Sequence, residues 1–354
     1  MLLYSPNLLP MLFDIALRTG LFIGLLGVCN HVQAQPALRI IQVDTVTSFR
    51  ALSAVSTSTV WISGNGGKVY RVEDEGLTVI DCSPLGYEAF DFRDIHAWDA
   101  QTALLMAVAS PAVFLKTDDG GQHWREVYRN ESEMVFFDAL DFWDAQRGIA
   151  FSDAIGDRLL LVETTDGGNT WSELPIENQP LVTAGQGGFA ASGSCLKTYG
   201  EGLVAIGLGG VEATVLFSSD FGQTWRKSVA PIDQGTNSAG VFSLAFINAQ
   251  TLLAVGGDYR ADSLSHRSIA LSRDAAQTWL LAEEVPINLK DLYRSCIVAV
   301  DDKEWWTVSR TGSSVTFDGG QNWTHFDWRF YTAQHLDGVL WMSGPEGRLG
   351  RVIR

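Results

Sequence analysis

Seven short segments of the chain share an aromatic residue followed by a position where chemistry could sit. Aligned without gaps, the aromatic column reads Phe49, Phe92, Phe137, Phe189, Tyr293 and Phe330, with Val241 as the exception. The next column reads Arg50, Arg93, Asp138, Ala190, Phe242, Arg294 and Tyr331. Three arginines in register stand out in a chain with 25 Lys and Arg against 41 Asp and Glu. A guanidinium presents a planar fork of donors that matches a carboxylate or a phosphate. Three readings are open for Arg50, Arg93, Asp138, Arg294 and Tyr331. The arginines pair with Asp138 and backbone carbonyls, they hold a small anion or an acidic peptide, or they serve catalysis. The aromatic column reads as packing.

Other chemistries find little support. There is no His-Glu-x-x-His, no Walker loop and no Gly-x-Ser-x-Gly elbow. Gly64-Asn65-Gly66-Gly67 and Gly207-Leu208-Gly209-Gly210 match no dinucleotide fingerprint and read as turns between strands. His96, His123, His266, His325 and His335 are scattered, so neither a metal nor a cofactor is expected. Beyond residue 34 the cysteines are Cys82, Cys195 and Cys296. An odd number is not a complete disulfide framework, and their apolar neighbours make them small core residues. With no Cys-x-x-Cys, structural zinc is not expected. A net charge of −16 and a pI near 4.7 argue against nucleic acid, whose phosphates call for a basic footprint.

The elements that must position these residues come from a repeat. An eight-residue pattern, Ser/Thr-x-Asp-x-Gly-x-x-Trp, recurs along the chain. It appears with Asp119 and Trp124, Asp166 and Trp171, Asp220 and Trp225, and Asp318 and Trp323. The copy with Asp274 and Trp279 carries Ala276 where Gly is expected, and a worn copy keeps Asp74, Gly76 and Thr78. The copies end at positions 79, 124, 171, 225, 279 and 323. The hydroxyl and carboxylate can bond amides of a turn, the Gly supplies unusual backbone geometry, and the Trp buries a large face. Strand-like segments precede each copy, as in Phe92-Arg93-Asp94-Ile95-His96-Ala97-Trp98 and Thr59-Val60-Trp61-Ile62-Ser63-Gly64. Four strands per 40–50 residues is the unit of a propeller, and the 320 residues after position 34 divide into seven. The expected fold is therefore all-β, a seven-bladed β-propeller of four-stranded antiparallel blades. The column of arginines falls at the first residues of the inner strands, at the rim of a central channel.

The repeated motif resembles the Asp-box of sialidase-type β-propellers across residues 37–354. In those proteins the box is a folding element, not a catalytic one. Sialidases hold a sugar carboxylate with an arginine triad in this general place, which makes a sialidase-like glycoside hydrolase the alternative. That enzyme also needs an Arg-Ile-Pro element, of which Arg39-Ile40-Ile41 is a weak echo, and a Tyr–Glu pair. Tyr293 and Tyr331 stand at plausible levels, but no Glu partner is singled out. Xyloglucan-type hydrolases also use Asp-boxes but pair two propellers. Across the whole chain, Phe49-Arg50-Ala51-Leu52, Asp91-Phe92-Arg93-Asp94-Ile95-His96, Arg147-Gly148-Ile149-Ala150-Phe151-Ser152-Asp153 and Ala254-Val255-Gly256-Gly257-Asp258-Tyr259 resemble the photosystem II stability/assembly factor family and its bacterial relatives. That resemblance implies an exported, non-catalytic scaffold that binds a protein partner.

The ends complete the expectation. Trp341-Met342-Ser343-Gly344 mirrors Trp61-Ile62-Ser63-Gly64, and the chain stops before another box. Leu38-Arg39-Ile40-Ile41-Gln42-Val43 is a strand without a blade, so it is expected to supply the last blade's outer strand and close the ring. Residues 1–34 read as a signal peptide: Arg18 precedes the apolar LFIGLLGV, and Val32-Gln33-Ala34 offers a cleavage site. Residues 35–354 would form the single domain, exported to the periplasm or beyond, with no transmembrane segment. Cys29 permits a lipoprotein reading, but Val28 replaces the small residue expected before it.

Overall fold

A computed structural model describes residues 36–262, 267–282 and 293–353. The expected leader, with Cys29 and the cleavage site, lies outside the described residues, as does His266. Residues from Pro36 onward form one compact unit. Its regular structure is strand throughout, apart from two short 3-10 turns at Asp74–Gly76 and Ile176–Asn178.

The strands form five four-stranded antiparallel sheets and one nine-stranded sheet. The last comprises two four-stranded runs that meet where Gly209 pairs with Gly240 and Gly210 with Thr236, with Gln186–Gly187 added at the junction. Each run opens with a first strand: Phe49–Ala54, Phe92–Ala97, Phe137–Phe142, Leu196–Tyr199, Thr236–Phe246, Cys296–Ala299 and Thr332–Leu336. The sheet built from Thr332–Leu336, Val339–Ser343 and Arg348–Ile353 takes its fourth strand from Ala37–Gln42, antiparallel to Arg348–Ile353 from Ala37 opposite Ile353 to Gln42 opposite Arg348.

First strands are stapled to one another in a series that returns to its start. Ala97 donates its amide to Ser53 Oγ at 2.9 Å, Leu140 to Asp94 at 2.8 Å and Thr198 to Asp141 at 2.9 Å. Leu244 donates to the Ser194 carbonyl at 2.9 Å, and Ile297 to Ser243 Oγ at 3.0 Å. Ser295 Oγ donates to the Tyr331 carbonyl at 2.7 Å, and Ala54 donates to Gln334 Oε1 at 2.7 Å. Those of Ala97, Leu140 and Ile297 lie among buried groups, where a donor left unpaired costs about 1–3 kcal/mol. Between sheets the core is aromatic and aliphatic. Trp61 and Trp341 are fully buried, and Trp124 reaches across to donate to the Cys82 carbonyl at 2.8 Å.

The repeated turns join third strands to fourth strands. In one, Thr117 Oγ1 donates to Asp119 at 2.9 Å and accepts from the Gly121 amide at 3.0 Å. Asp119 also accepts from the Gln122 and His123 amides at 3.0 Å. The same hydroxyl–carboxylate–amide net recurs around Asp166, Asp220, Asp274 and Asp318. Around Asp74 only the Thr78 hydroxyl bond survives, at 2.8 Å. Cys82, Cys195 and Cys296 are buried and unbridged.

Candidate functional site

Antiparallel order places the starts of first strands and the hairpins between second and third strands on one face of the molecule. Two cavities follow from this. One, of about 370 Å³, is lined by the starts of first strands. The other, of about 330 Å³, is lined by their far ends. A segment of residues 188–195 runs between them. Its residues 188–191 line the first cavity and its residues 192–194 the second. It touches sheets on every side. Ala190 accepts from Arg93 Nη1 at 3.3 Å, and the Ser192 carbonyl accepts from Thr332 Oγ1 at 3.0 Å. Ser192 Oγ donates to the Ser295 carbonyl at 2.8 Å, and Ser194 and Ser243 hydroxyls share a bond of 2.7 Å. Gly193 permits the crossing: its φ is 67°, and a Cβ there would stand 2.4 Å from Asp94 Oδ1.

This segment corrects the alignment for the fourth sheet. Phe189 and Ala190 were expected to open its inner strand, but the strand begins at Leu196. Phe189 belongs to the crossing segment instead, its ring stacked on Phe242 with centroids 3.7 Å apart.

Arg50, Arg93, Asp138 and Tyr331 do line the first cavity. Arg93 pairs with Asp91 at 2.8 Å. Arg50 lies over the Tyr331 ring, 4.2 Å from its centroid, and makes no hydrogen bond or ion pair among the described residues. Burial and then the like charge of Arg93 hold the Arg50 guanidinium below its ordinary pKa. Asp138 is fully buried, and neither carboxyl oxygen has a hydrogen-bond partner of good geometry. Burial, with Asp153 nearby, raises its pKa well above the usual carboxylate range. A Cβ on Gly188 would stand 2.4 Å from that carboxyl, so the chain passes directly over it.

Arg294 is a correction. It is 3% exposed and does not line the cavity. Its guanidinium points into its own sheet, donating to Thr307 Oγ1 and to Ser314 Oγ, and lies 5.7 Å from the centre of the Trp323 ring. Neighbouring residues of an extended chain face opposite ways, so once Tyr293 faces the cavity Arg294 turns inward. The third cavity arginine is Arg310, missed in the sequence. It pairs with Asp262 at 2.9 Å and donates to the Tyr259 carbonyl. Arg310 and Tyr259 both sit in connections between second and third strands, on the same face as the first-strand starts. That shared face was the signal available for finding them.

Sequence reasoning also passed over the second cavity. It gathers Asp94, His96, Asp141 and Lys197, with Lys197 Nζ 3.9 Å from Asp141. Burial pushes Asp94 up to about 8 and His96 down to about 4. Asp94 and Asp141 accept backbone amides there and are committed to the staples described above. Among the described residues no group of three His, Cys, Asp or Glu is placed to hold a metal ion. None of their helices is long and apolar enough to cross a membrane.

The chain matches no protein-family model and no curated protein. Solved structures do resemble it. A YCF48 bound to a D1 peptide aligns with TM-score 0.64 at 17% identity, over 90% of this chain and 97% of that one. The fold is that of a β-propeller. YCF48 from Cyanidioschyzon merolae gives TM-score 0.63 at 14% identity, over 90% and 99%. A virginiamycin B lyase from Staphylococcus aureus gives 0.59 at 10%, over 90% and 100%. The two cavities are thus opposite mouths of the propeller's central channel, and the crossing segment is its plug. At such identities the likeness carries the fold alone, because one propeller frame hosts many unrelated functions.

Proposed function

We propose that this chain is an exported, non-catalytic binding scaffold, taking a protein partner or a small anion at the arginine-bearing mouth of its channel. The observation that carries the reading is Arg50: a half-buried guanidinium without an ionic partner among the described residues, beside a second arginine, facing a cavity. A cation kept in a partly desolvated site attracts an anion far more strongly than a surface cation does. In a protein of net charge −16 this local reversal of sign selects an acidic group on the partner. The structural neighbour solved with a D1 peptide shows the same frame holding a polypeptide, which supports the protein-partner form of the reading.

In this reading the turns around Asp119, Asp166, Asp220, Asp274 and Asp318 are Asp-boxes, and Asp74 marks a degenerate one. The frame has seven blades, closed by the N-terminal strand, and residues 1–34 are removed on export. The hydrolase alternative gains no support from the described residues, none of which puts a glutamate in the cavity beneath Tyr293 or Tyr331, and Arg294 faces elsewhere.

The test uses the native full chain. Recovered from the envelope fraction, it should begin at Gln35. Used as bait in that extract, it should retain a polypeptide that an Arg50→Gln/Arg93→Gln variant of equal melting temperature loses. An identical partner set for both proteins would refute the rim site, and hydrolysis of a sialoside or glucan panel lost in the variant would replace the scaffold reading with the enzymatic one.

A further inference from the structure

The face that carries Arg50 also carries the hairpin between Val60–Gly64 and Val69–Glu73. Its tip is Asn65-Gly66-Gly67, and Asn65-Gly66 is the one Asn-Gly step in the sequence. Asn65 and Gly66 are both exposed. The backbone is pinned on either side of Gly66. The Gly64 amide donates to the Lys68 carbonyl at 3.0 Å, and the Gly67 amide donates to the Phe90 carbonyl at 2.8 Å. The Gly66 amide itself donates to no acceptor among the described residues. A Cβ on Gly66 would meet nothing within 4 Å, so this peptide unit has room to turn. The Asn65 side-chain carbonyl is held in place, its Oδ1 accepting from the Ser48 amide at 2.7 Å.

These groups are the parts of an intramolecular acyl transfer. The Gly66 nitrogen is the nucleophile, the Asn65 Cγ is the carbon attacked, and the ring that closes has five members. Joining both groups in one dipeptide replaces a bimolecular encounter. The Ser48 amide stands where negative charge grows on Oδ1 as the nitrogen adds, and a fixed backbone donor there lowers the barrier. Other turns of the chain show what blocks such a step. Gly120, Gly167 and Gly319 each follow an aspartate, but their amides are spent on the carbonyls of Gln101 at 2.8 Å, Gln146 at 2.8 Å and Lys303 at 2.9 Å. The Gly338 amide, after Asp337, is spent on His335 Nε2 at 3.2 Å. Asn248 Oδ1 accepts the Gln250 and Thr251 amides at 2.9 Å, yet Ala249 follows it, and a methyl crowds the ring closure that glycine allows. Asn65-Gly66 joins a free nucleophile to a polarised side-chain carbonyl.

We propose that Asn65 is a site of spontaneous modification, converted to aspartate and isoaspartate through attack by the Gly66 amide nitrogen. The bond from the Gly66 nitrogen to Asn65 Cγ forms and the Cγ–Nδ2 bond breaks. The Gly66 amide proton passes through solvent to the departing nitrogen, which leaves as ammonia, and a succinimide remains. Water then opens the ring at either of its carbonyls. Aspartate keeps an acceptor for the Ser48 amide, whereas isoaspartate adds a methylene to the hairpin backbone. Either product places a new negative charge on the face that bears Arg50, and the Ser48 amide it faces lies two residues before that arginine. The change needs only water, so it proceeds with the age of the molecule and is independent of what the mouth binds.

The experiment is incubation of the folded full chain in buffer, followed over time by peptide mass mapping with separation of the aspartate and isoaspartate forms. The peptide holding Asn65 should gain the mass of an amide-to-acid exchange at least about five-fold faster than the peptide holding Asn248. Conversion should quicken with rising pH, because the attacking amide must give up its proton. Asn65→Gln, which would have to close a six-membered ring, should convert at position 65 at least about ten-fold more slowly, and so should Asn65 in Gly66→Ala. If Gly66→Ala does not fold, Asn65→Gln carries the test alone, since it changes no glycine. A synthetic peptide of residues 60–70 should convert no faster than the folded chain, because only the fold supplies the Ser48 donor. Three results would overturn the assignment: Asn65 and Asn248 converting at one rate, Asn65→Gln converting as fast as the parent, or the peptide outpacing the folded chain, which would show that the hairpin protects Asn65.

Discussion

At the scale of single residues the repeated turn shows how local chemistry writes itself into sequence. The Gly of each copy sits at positive φ: 85° at Gly121, 79° at Gly168, 81° at Gly222 and 91° at Gly320. Ala276 takes the same position at 60°, a conformation that costs an L-residue about 1–2 kcal/mol. What decides whether a methyl is tolerated is the space beside it. A Cβ on Gly168 would meet its nearest neighbours at 3.5 Å, an ordinary contact, whereas one on Gly320 would stand 2.7 Å from the Trp305 ring. Gly168→Ala is therefore expected to cost about 1–2 kcal/mol, the backbone penalty alone. Gly320→Ala should cost about 2–4 kcal/mol, because the indole must also move. Equal losses in urea denaturation would show that backbone strain, not crowding, sets the rule. The same reasoning marks where residue-level reading stopped. The arginine column was visible because its members recur in register, but Arg294 and Tyr293 differ by one place, and one place decides which faces the cavity. Arg310 has no counterpart column, so only the hairpin's position in space brings it to Arg50.

At the scale of elements the turns and the staples respond to pH with opposite sign. Hydrogen bonds from the amide and ring of His123, with the Thr117 hydroxyl, hold Asp119 near 2; hydroxyl and amide bonds hold Asp274 near 2, and bonds of that kind overcome partial burial to hold Asp166 near 2. A carboxyl with a folded pKa below its unfolded value near 3.9 gives stability that is complete above that value and lost as pH falls through the folded one. Asp94 runs the other way. Burial raises it to about 8, so the folded state holds its proton longer than the unfolded chain does, and this group's contribution weakens as pH rises from about 4 to 8. The melting temperature should therefore fall steeply between pH 4 and pH 2, where the three turn carboxylates take up protons together. A flat melting temperature across that window would mean that the turn bonds do not persist in solution. The turns were legible because eight consecutive residues make them. The plug was not, because residues 188–195 look like the other strand openings in sequence, with an aromatic at Phe189, and leave the sheet only because Gly188 and Gly193 admit close passage over Asp138 and Asp94.

At the scale of the molecule the decisive contact joins the two ends of the described chain. Ala37–Gln42 pairs with Arg348–Ile353 along its whole length. The Val43 amide adds a bond to the Gly347 carbonyl at 2.9 Å, and a Cβ on Gly347 would stand 2.1 Å from the Asp44 carbonyl oxygen, so glycine is required where the segments cross. Without this pairing Arg348–Ile353 would present a bare edge, and unfolding could begin there. The staple from Ala54 to Gln334 also ties the first strand Phe49–Ala54 to the first strand Thr332–Leu336. Strand pairing between residues more than 300 positions apart forms late and slowly, since it closes the longest loop in the chain. Deleting residues 37–46 should therefore lower the melting temperature of the entire protein by more than about 10 °C, a loss of several kcal/mol in a protein whose whole margin is about 5–15 kcal/mol. Adding the 37–46 peptide in excess should restore part of that loss, because it can pair again with the exposed edge. A truncated chain that melts like the parent, with no response to the peptide, would show that the row of sheets is stable unclosed and that the terminal strand is a dispensable cover.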